Sequence, residues 1–173
     1  MWNFFATVRN RHSIRKYQPD MPIEPEKLHA ILEMACAAPS AGDLQSYRII
    51  VVTKPEQRLA LSHAAQEQKF ISEAPVCLIF CTDAERSIQQ FGERGKMLYT
   101  IQDATISAAY AQLAVVAAGL GSTWIGHFDE KKVTEIAELP ENIVPVALLS
   151  LGYPAEIPEP TSRRPMEEVI FYP

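Results

Sequence analysis

Eight consecutive residues, Pro75 to Thr82 (PVCLIFCT), carry no charge and read as a β-strand covered on both faces. Such a strand cannot face water on either side, so it requires a layer of structure above it and another below. Val144 to Leu151 (VPVALLSL), closed by Gly152-Tyr153-Pro154, reads as a second buried strand, and the β-branched run Arg48 to Thr53 as a third. The covering layers are helical. Leu28, Ile31, Leu32 and Ala35 repeat at helical spacing, which predicts a helix from Pro25 to Ala38, with the proline in its first turn. A second helix is expected from Pro55 to Gln66, a long Ala-rich one from Tyr99 to Ala118 ended by Gly119 and Gly121, and a short one capped by Asp129 and running to Glu138. Phe91 to Lys96 (FGERGK), with two glycines and mixed charge, reads as a mobile surface loop. No internal repeat or linker divides the 173 residues, so residues 1–173 are expected to form one mixed α/β domain with helices covering a small sheet.

Charge narrows the function classes. The formal net charge is −5, which disfavours nucleic acid as a partner, because that binding depends on neutralising phosphates. The total hides a basic start: Arg9, Arg11, Arg15 and Lys16 all precede the first acid, Asp20. Cys36, Cys77 and Cys81 have no zinc-ligand spacing and no arrayed histidines, so no metal site is expected and a reducing cytoplasm suits them. The opening MWNFFATVRNRHS lacks a charged region leading into an apolar core, and no secretory signal is expected. Ala104 to Phe128 holds no Lys, Arg, Asp or Glu and is long enough to span a bilayer. Its alanines and its Ser107, Gln112, Gly119, Gly121 and Ser122 instead suit a helix buried in protein, so no membrane partner is expected.

No GxSxG, P-loop, HExxH or GxGxxG is present, and no nucleophile-and-base set stands out. Weight therefore falls on chemistry supplied by a cofactor. Three segments could hold an anionic one. In Arg11-His12-Ser13-Ile14-Arg15-Lys16, alternation puts Arg11, Ser13 and Arg15 on one side of an extended segment, and two guanidinium forks with a hydroxyl suit a phosphate. Taken alone, a solvated basic face also explains it. Pro39-Ser40-Ala41-Gly42-Asp43-Leu44-Gln45 is a small-residue loop that lets backbone approach a flat ligand, with Ser40 and Gln45 as hydrogen-bonding groups; a plain helix-ending turn is the alternative. Gly119 to Gly126 (GLGSTWIG) reads as a glycine-punctuated loop in which Gly126 could present its amide to a ring nitrogen, with Trp124 packed nearby or serving the core.

These segments, in this order, resemble the FMN-dependent nitroreductase family. The matching residues are Arg11-His12-Ser13-Ile14-Arg15, then Ala38-Pro39-Ser40-Ala41-Gly42-x-Leu44-Gln45, and Gln68 ahead of Ala74-Pro75. Further on come Gly119-Leu120-Gly121-Ser122-x-Trp124-Ile125-Gly126, Leu151-Gly152-Tyr153-Pro154 and Arg163-x-Pro165, so the likeness runs from about residue 5 to 170.

The resemblance implies an α+β fold, a three-layer α-β-α sandwich with a mainly antiparallel sheet, whose C-terminal arm is exchanged between the subunits of a homodimer. It implies FMN as cofactor, NADH or NADPH as electron donor, and a small-molecule electron acceptor such as a nitroaromatic or quinone, reduced by ping-pong hydride transfer. A flavin-storing module without turnover, reductive dehalogenation and flavin breakdown stand as alternatives. By the same resemblance Arg11, Ser13 and Arg163 would hold the FMN phosphate, with His12 beside it and Arg164 adding charge. Arg15 would reach the pyrimidine edge of the ring. Pro39, Ser40, Ala41 and Gly42, with Gln45, would contact the flavin from the second subunit. Gln68 would lie near the ribityl chain or the ring edge, Trp124 and Ile125 along the ring, and the Gly126 amide near N5; Arg15 and Gly126 would assist a reaction centred on the flavin. The chain departs from the family pattern at Asp43, where an Asn is usual, at Ser46-Tyr47, at Thr161, and in an abbreviated segment from Phe91 to Met97. Asp43 is expected to face away from the flavin or to pair with a base.

Overall fold

The computed structural model describes residues 3–173. Four strands form one antiparallel sheet: β1 (Tyr47–Val52), β2 (Val76–Asp83), β3 (Gly121–Ile125) and β4 (Ile143–Gly152), in the spatial order β1-β2-β4-β3. All eight residues of β2 are buried, as its apolar run requires. Its alternation divides the core. Cys77, Ile79 and Cys81 join Leu61 of α3 (Pro55–Ala64), Ile71 of α4 (Phe70–Glu73) and Val133 of α7 (Glu130–Ile136). Val76, Leu78 and Phe80 point the other way, onto Ile31 and Ala35 of α2 (Pro25–Cys36) and Ala108, Ala111 and Val115 of α6 (Thr100–Ala117). The two side-chain sets of one strand, each under its own helices, make the three layers.

Pro145 interrupts β4 without breaking it. The register slips between Phe80 and Cys81, so that Cys81 faces Pro145, and β3 reaches only as far as Leu148. A proline is tolerated at such a bulge, where the missing N–H has no ladder to serve. Asp129 caps α7, its carboxylate accepting the Lys132 N–H at 3.1 Å.

Three segments differ from expectation. Residues 4–10 form a helix, α1 (Phe4–Asn10), capped by Asn3, whose Oδ1 accepts from Ala6 N. Phe91 to Lys96 is not a loop: it belongs to α5 (Ala84–Arg94) and to a single π-helical turn, Gly95–Tyr99, that leads into α6. The glycine at 95 serves packing, because a Cβ there would meet Ser87 at 2.7 Å, while Phe91 stands edge-on to Tyr99 at 5.1 Å. The stretch from Gly119 to Gly126 is a loop only at its start, where Gly119 takes a φ of +77°; from Gly121 it is β3. No helix among the described residues is long and apolar enough to cross a membrane.

Candidate active site

The Arg11–Arg15 segment runs beside β3 and extends the sheet. Ser13 bridges Ser122 in parallel, and Ile14 N donates to Ser122 O at 3.0 Å. Gly121 is what permits this approach, since a Cβ there would lie 2.5 Å from Ile14 Cγ1. Ile14 turns inward onto Tyr17 and Ala74. Tyr17, also buried, fixes the next turn: its hydroxyl lies 2.8 Å from Ile14 O and 2.9 Å from Ser150 Oγ, and burial pushes its pKa up to about 12. Thr123 Oγ1 donates to Ile14 O as well. On the outer side, the chain after β4 runs back along the segment. Ala155 N donates to Lys16 O at 2.9 Å, and Glu156 Oε1 accepts the Arg15 N–H at 2.7 Å.

The cradle that results is cationic. Arg15 is exposed, Arg11, His12 and Ser13 are half-buried, and neither Arg11, Arg15 nor Lys16 has an ion-pair partner among the described residues. Ser122 Oγ, buried at the Ser13 bridge, has no hydrogen-bond partner. Free guanidinium forks, with an unspent hydroxyl on the strand that the segment bridges, are the donor set an anionic phosphate needs, and the residues present fit the phosphate of FMN on that ground.

Gln68 belongs to the same neighbourhood. Gln66 and Glu67 both take positive φ, +59° and +58°, a tight turn that brings Gln68 round, and its Nε2 donates to Ala65 O at 2.7 Å. Two residues on, Phe70 lies under Arg15, whose Cζ stands 6.0 Å from the ring centre. Along β3 and one residue past its end, the chain then travels four residues from Ser122 to Gly126, about 13 Å at strand rise. Trp124 is half-buried and Gly126 exposed, with the indole Nε1 3.7 Å from where a Gly126 Cβ would stand. Ile125 is buried in the core beside Leu148, so it could offer a ligand only its backbone.

The small-residue loop lies elsewhere. Ser40 opens a 3-10 turn, Ala41–Asp43, and Ser40 Oγ accepts the Gln45 N–H at 2.9 Å. Gln45 folds back so that its Nε2 donates to Asp43 Oδ1 and to Asp43 O, each at 2.7 Å. Asp43 thus pairs with an amide instead of a base. Gly42, with a φ of +59°, sits against the Phe91 ring, which a Cβ would approach to 2.9 Å. The carboxylate of Asp103, on α6 and only 1% exposed, accepts from Ala41 N at 2.9 Å and from Ser46 N at 3.3 Å.

Ser13 lies level with Val76 at one end of β2, through Ser122 and Leu151; Ser46 lies level with Asp83 at the other end, its carbonyl accepting the Asp83 N–H. Seven residues along the strand and four strand spacings across the sheet put Ser13 and Ser46 roughly 30 Å apart within one chain. One chain therefore brings together Arg11, His12, Ser13, Arg15, Gln68, Trp124 and Gly126, and leaves Pro39, Ser40, Ala41, Gly42 and Gln45 apart from them. Arg163 and Arg164 join neither group: Arg163 Nη1 donates to Thr161 and Ser162, and Arg164 pairs with Glu168, on an exposed tail.

Sequence reasoning missed Phe70, Glu156 and Asp103. Phe70 and Glu156 give no local signal, since their partner Arg15 is 55 and 141 residues away. Asp103 did leave one: it is the only acid in a helix of otherwise uncharged residues, and a lone carboxylate that the fold buries needs donors to meet it.

A profile of the Nitroreductase family matches residues 8–71 and 61–153. The chain is 34% identical over 189 residues to a protein of Thermus thermophilus named NADH dehydrogenase, spanning 94% of this chain and 92% of that one. It is 29% identical over 182 residues to an FMN reductase (NADPH) of Bacillus subtilis, across 98% of this chain and 73% of the other. The solved NADPH:FMN oxidoreductase of Vibrio harveyi, complexed with NAD+, superposes with a TM-score of 0.89 at 30% identity, covering 97% of this chain and 76% of that one. The chain belongs to the nitroreductase family, and its three-layer antiparallel fold is that of the family's solved members.

Proposed function

We propose that the chain is a single FMN-binding domain, residues 1–173, that acts as an FMN-dependent NAD(P)H oxidoreductase on small electron-poor acceptors such as nitroaromatics and quinones. The observation that carries this reading is the cationic cradle on β3, free of ion pairs among the described residues and continued by Trp124 and Gly126, in a chain of this family. FMN, when bound, supplies the redox chemistry, taking hydride from NADH or NADPH and delivering electrons to the acceptor.

The residues supply binding and electrostatics. Arg11 and Ser13 hold the phosphate, with His12 alongside. Arg15, its backbone fixed by Glu156 and its side chain lying over Phe70, offers fixed positive charge to the pyrimidine edge of the ring. Gly126 presents an unhindered backbone, Trp124 lines the ring and Gln68 meets the ribityl chain.

The working unit in this reading is a homodimer. A loop whose Ser46 end lies roughly 30 Å from Ser13 within one chain suits the flavin held by a second copy. Val169, Phe171 and Tyr172 expose apolar side chains on a tail after Pro165, which suits an arm exchanged onto the partner and carrying Arg163 and Arg164 to a site. Three free thiols suit the cytoplasm.

The test is an absorbance spectrum before and after anaerobic NADPH. The expected protein is yellow, holds one FMN per chain, and bleaches with NADPH or NADH. A protein that gains no flavin absorbance with added FMN overturns the reading; one that binds FMN but is not reduced is a storage module.

A further inference from the structure

The small-residue loop has no cation, and its one charge, Asp43, is engaged by the Gln45 side-chain amide within the loop, yet it must keep one shape if a flat ring is to lie against it. Its two ends are fixed from below by one group. Asp103 accepts the Ala41 N–H and the Ser46 N–H, bracketing the whole turn between them, and it is 1% exposed with no Lys or Arg paired to it among the described residues. Ser46, the second donor, is itself fully buried. A buried carboxylate satisfied only by backbone N–H groups is a strong and specific tether, because neither side of the contact has water to fall back on. From above, the Phe91 ring closes on Gly42.

The geometry points to Asp103 as a positioning residue for FMN: it sets the loop that meets the flavin held by the Arg11–Arg15 cradle of a second copy. This inference rests on the proposed function, and it assigns to α6 a role in a site whose nearest cofactor contacts lie on another chain. Asp103 touches neither ligand nor reacting atoms. It acts through Ala41 and Ser46.

Asp103→Asn is nearly the same size but turns an NH2 toward one of the two backbone N–H groups, so one tether becomes donor against donor. FMN affinity, read by quenching of flavin fluorescence on the folded protein, is expected to fall about tenfold or more. Leu61→Ala, which empties a buried position under the other face of the sheet, is expected to lower the melting temperature without that loss of affinity. Mixed dimers of Asp103→Asn with Arg15→Ala, selected by two different tags, give the readout that mere destabilisation cannot. One site then combines an intact cradle with an intact loop, and the other carries both defects. The mixed dimer is expected to recover half the wild-type number of tight FMN sites, although each variant alone has none.

Where Asp103→Asn folds poorly, Ala41→Pro removes one donor from the exposed side. Ser40 has a φ of −140° and ψ of 159°, as a residue before proline requires, and position 41 opens the turn. The same loss of FMN affinity is expected. Wild-type affinity in either variant, or mixed dimers that recover no tight site, overturns the assignment of Asp103 alone. Absence of FMN uptake by the wild-type chain overturns the proposed function and this assignment with it.

Discussion

The Arg11–Arg15 cradle is stitched to the edge of β3 by backbone hydrogen bonds, whereas the Ser40–Ser46 loop hangs from one buried carboxylate at the opposite end of the sheet. The cradle carries its ligand-binding charge on its own side chains and takes its shape from the sheet. The loop carries no cation, takes its shape from a distant acid, and offers small residues that let a ring come close. A ligand with an anionic end and a flat end needs both kinds of surface. Within one chain the two lie apart, and in the proposed homodimer each chain supplies half of two sites.

That contrast can be broken from the centre outward. Phe80 lies in β2 between the two ends and is fully buried, so Phe80→Ala is expected to destabilise the fold by about 3–5 kcal/mol and to weaken cradle and loop together, read by urea unfolding and by FMN titration. Loss of stability with unchanged FMN affinity at low temperature would show that the ends do not depend on the shared strand. Truncating Arg11 or Arg15 to Ala should act on one end only, each weakening FMN by about 1.5–3 kcal/mol with little change in melting temperature. FMN affinity unchanged from wild type in both variants would remove the cradle from the site.

Alkaline titration separates the core from the cradle. Burial raises Tyr17 from 10.0 to about 12, and Cys77 and Cys81 from 9.0 to about 12. These groups lose their protons more readily in the unfolded chain, so the stability they protect is complete below about pH 9 and is lost as pH climbs toward 12. The urea midpoint is expected to fall across this window, with flavin released only as the sheet unfolds. Tyr17→Phe should flatten the upper part of the curve; a midpoint independent of pH from 8 to about 11 contradicts the assignment. The smallest effect is expected from Glu156→Ala, which removes one hydrogen bond to the Arg15 backbone at an exposed position and should weaken FMN by about 0.5–1.5 kcal/mol.

Much of the fold was legible because its signals are local. The β2 run, the α2 stripe and the cap of α7 are each written within a dozen residues, and the structure has them within two or three residues of the expected limits. The cradle was legible for the same reason, through alternation between Arg11 and Arg15. What could not be seen is long-range. Glycine at 95 and at 121 resembles a flexible position in sequence, yet each marks a close contact, with Ser87 and with Ile14. The small-residue loop could be named but not placed, because its anchor is about 60 residues on and its distance from the cradle is a property of strand order. Asp43 is expected from sequence to face away from the flavin or to pair with a base; its engagement with Gln45 depends on a positive φ that composition does not reveal.

The central claim is that the site is shared between two chains. Sedimentation velocity followed at the flavin absorbance band, over a dilution series, tests it directly. The account predicts that flavin colour travels only with a species of twice the chain mass, and that dilution to the monomer releases it. Flavin travelling with the monomer at undiminished occupancy would contradict it.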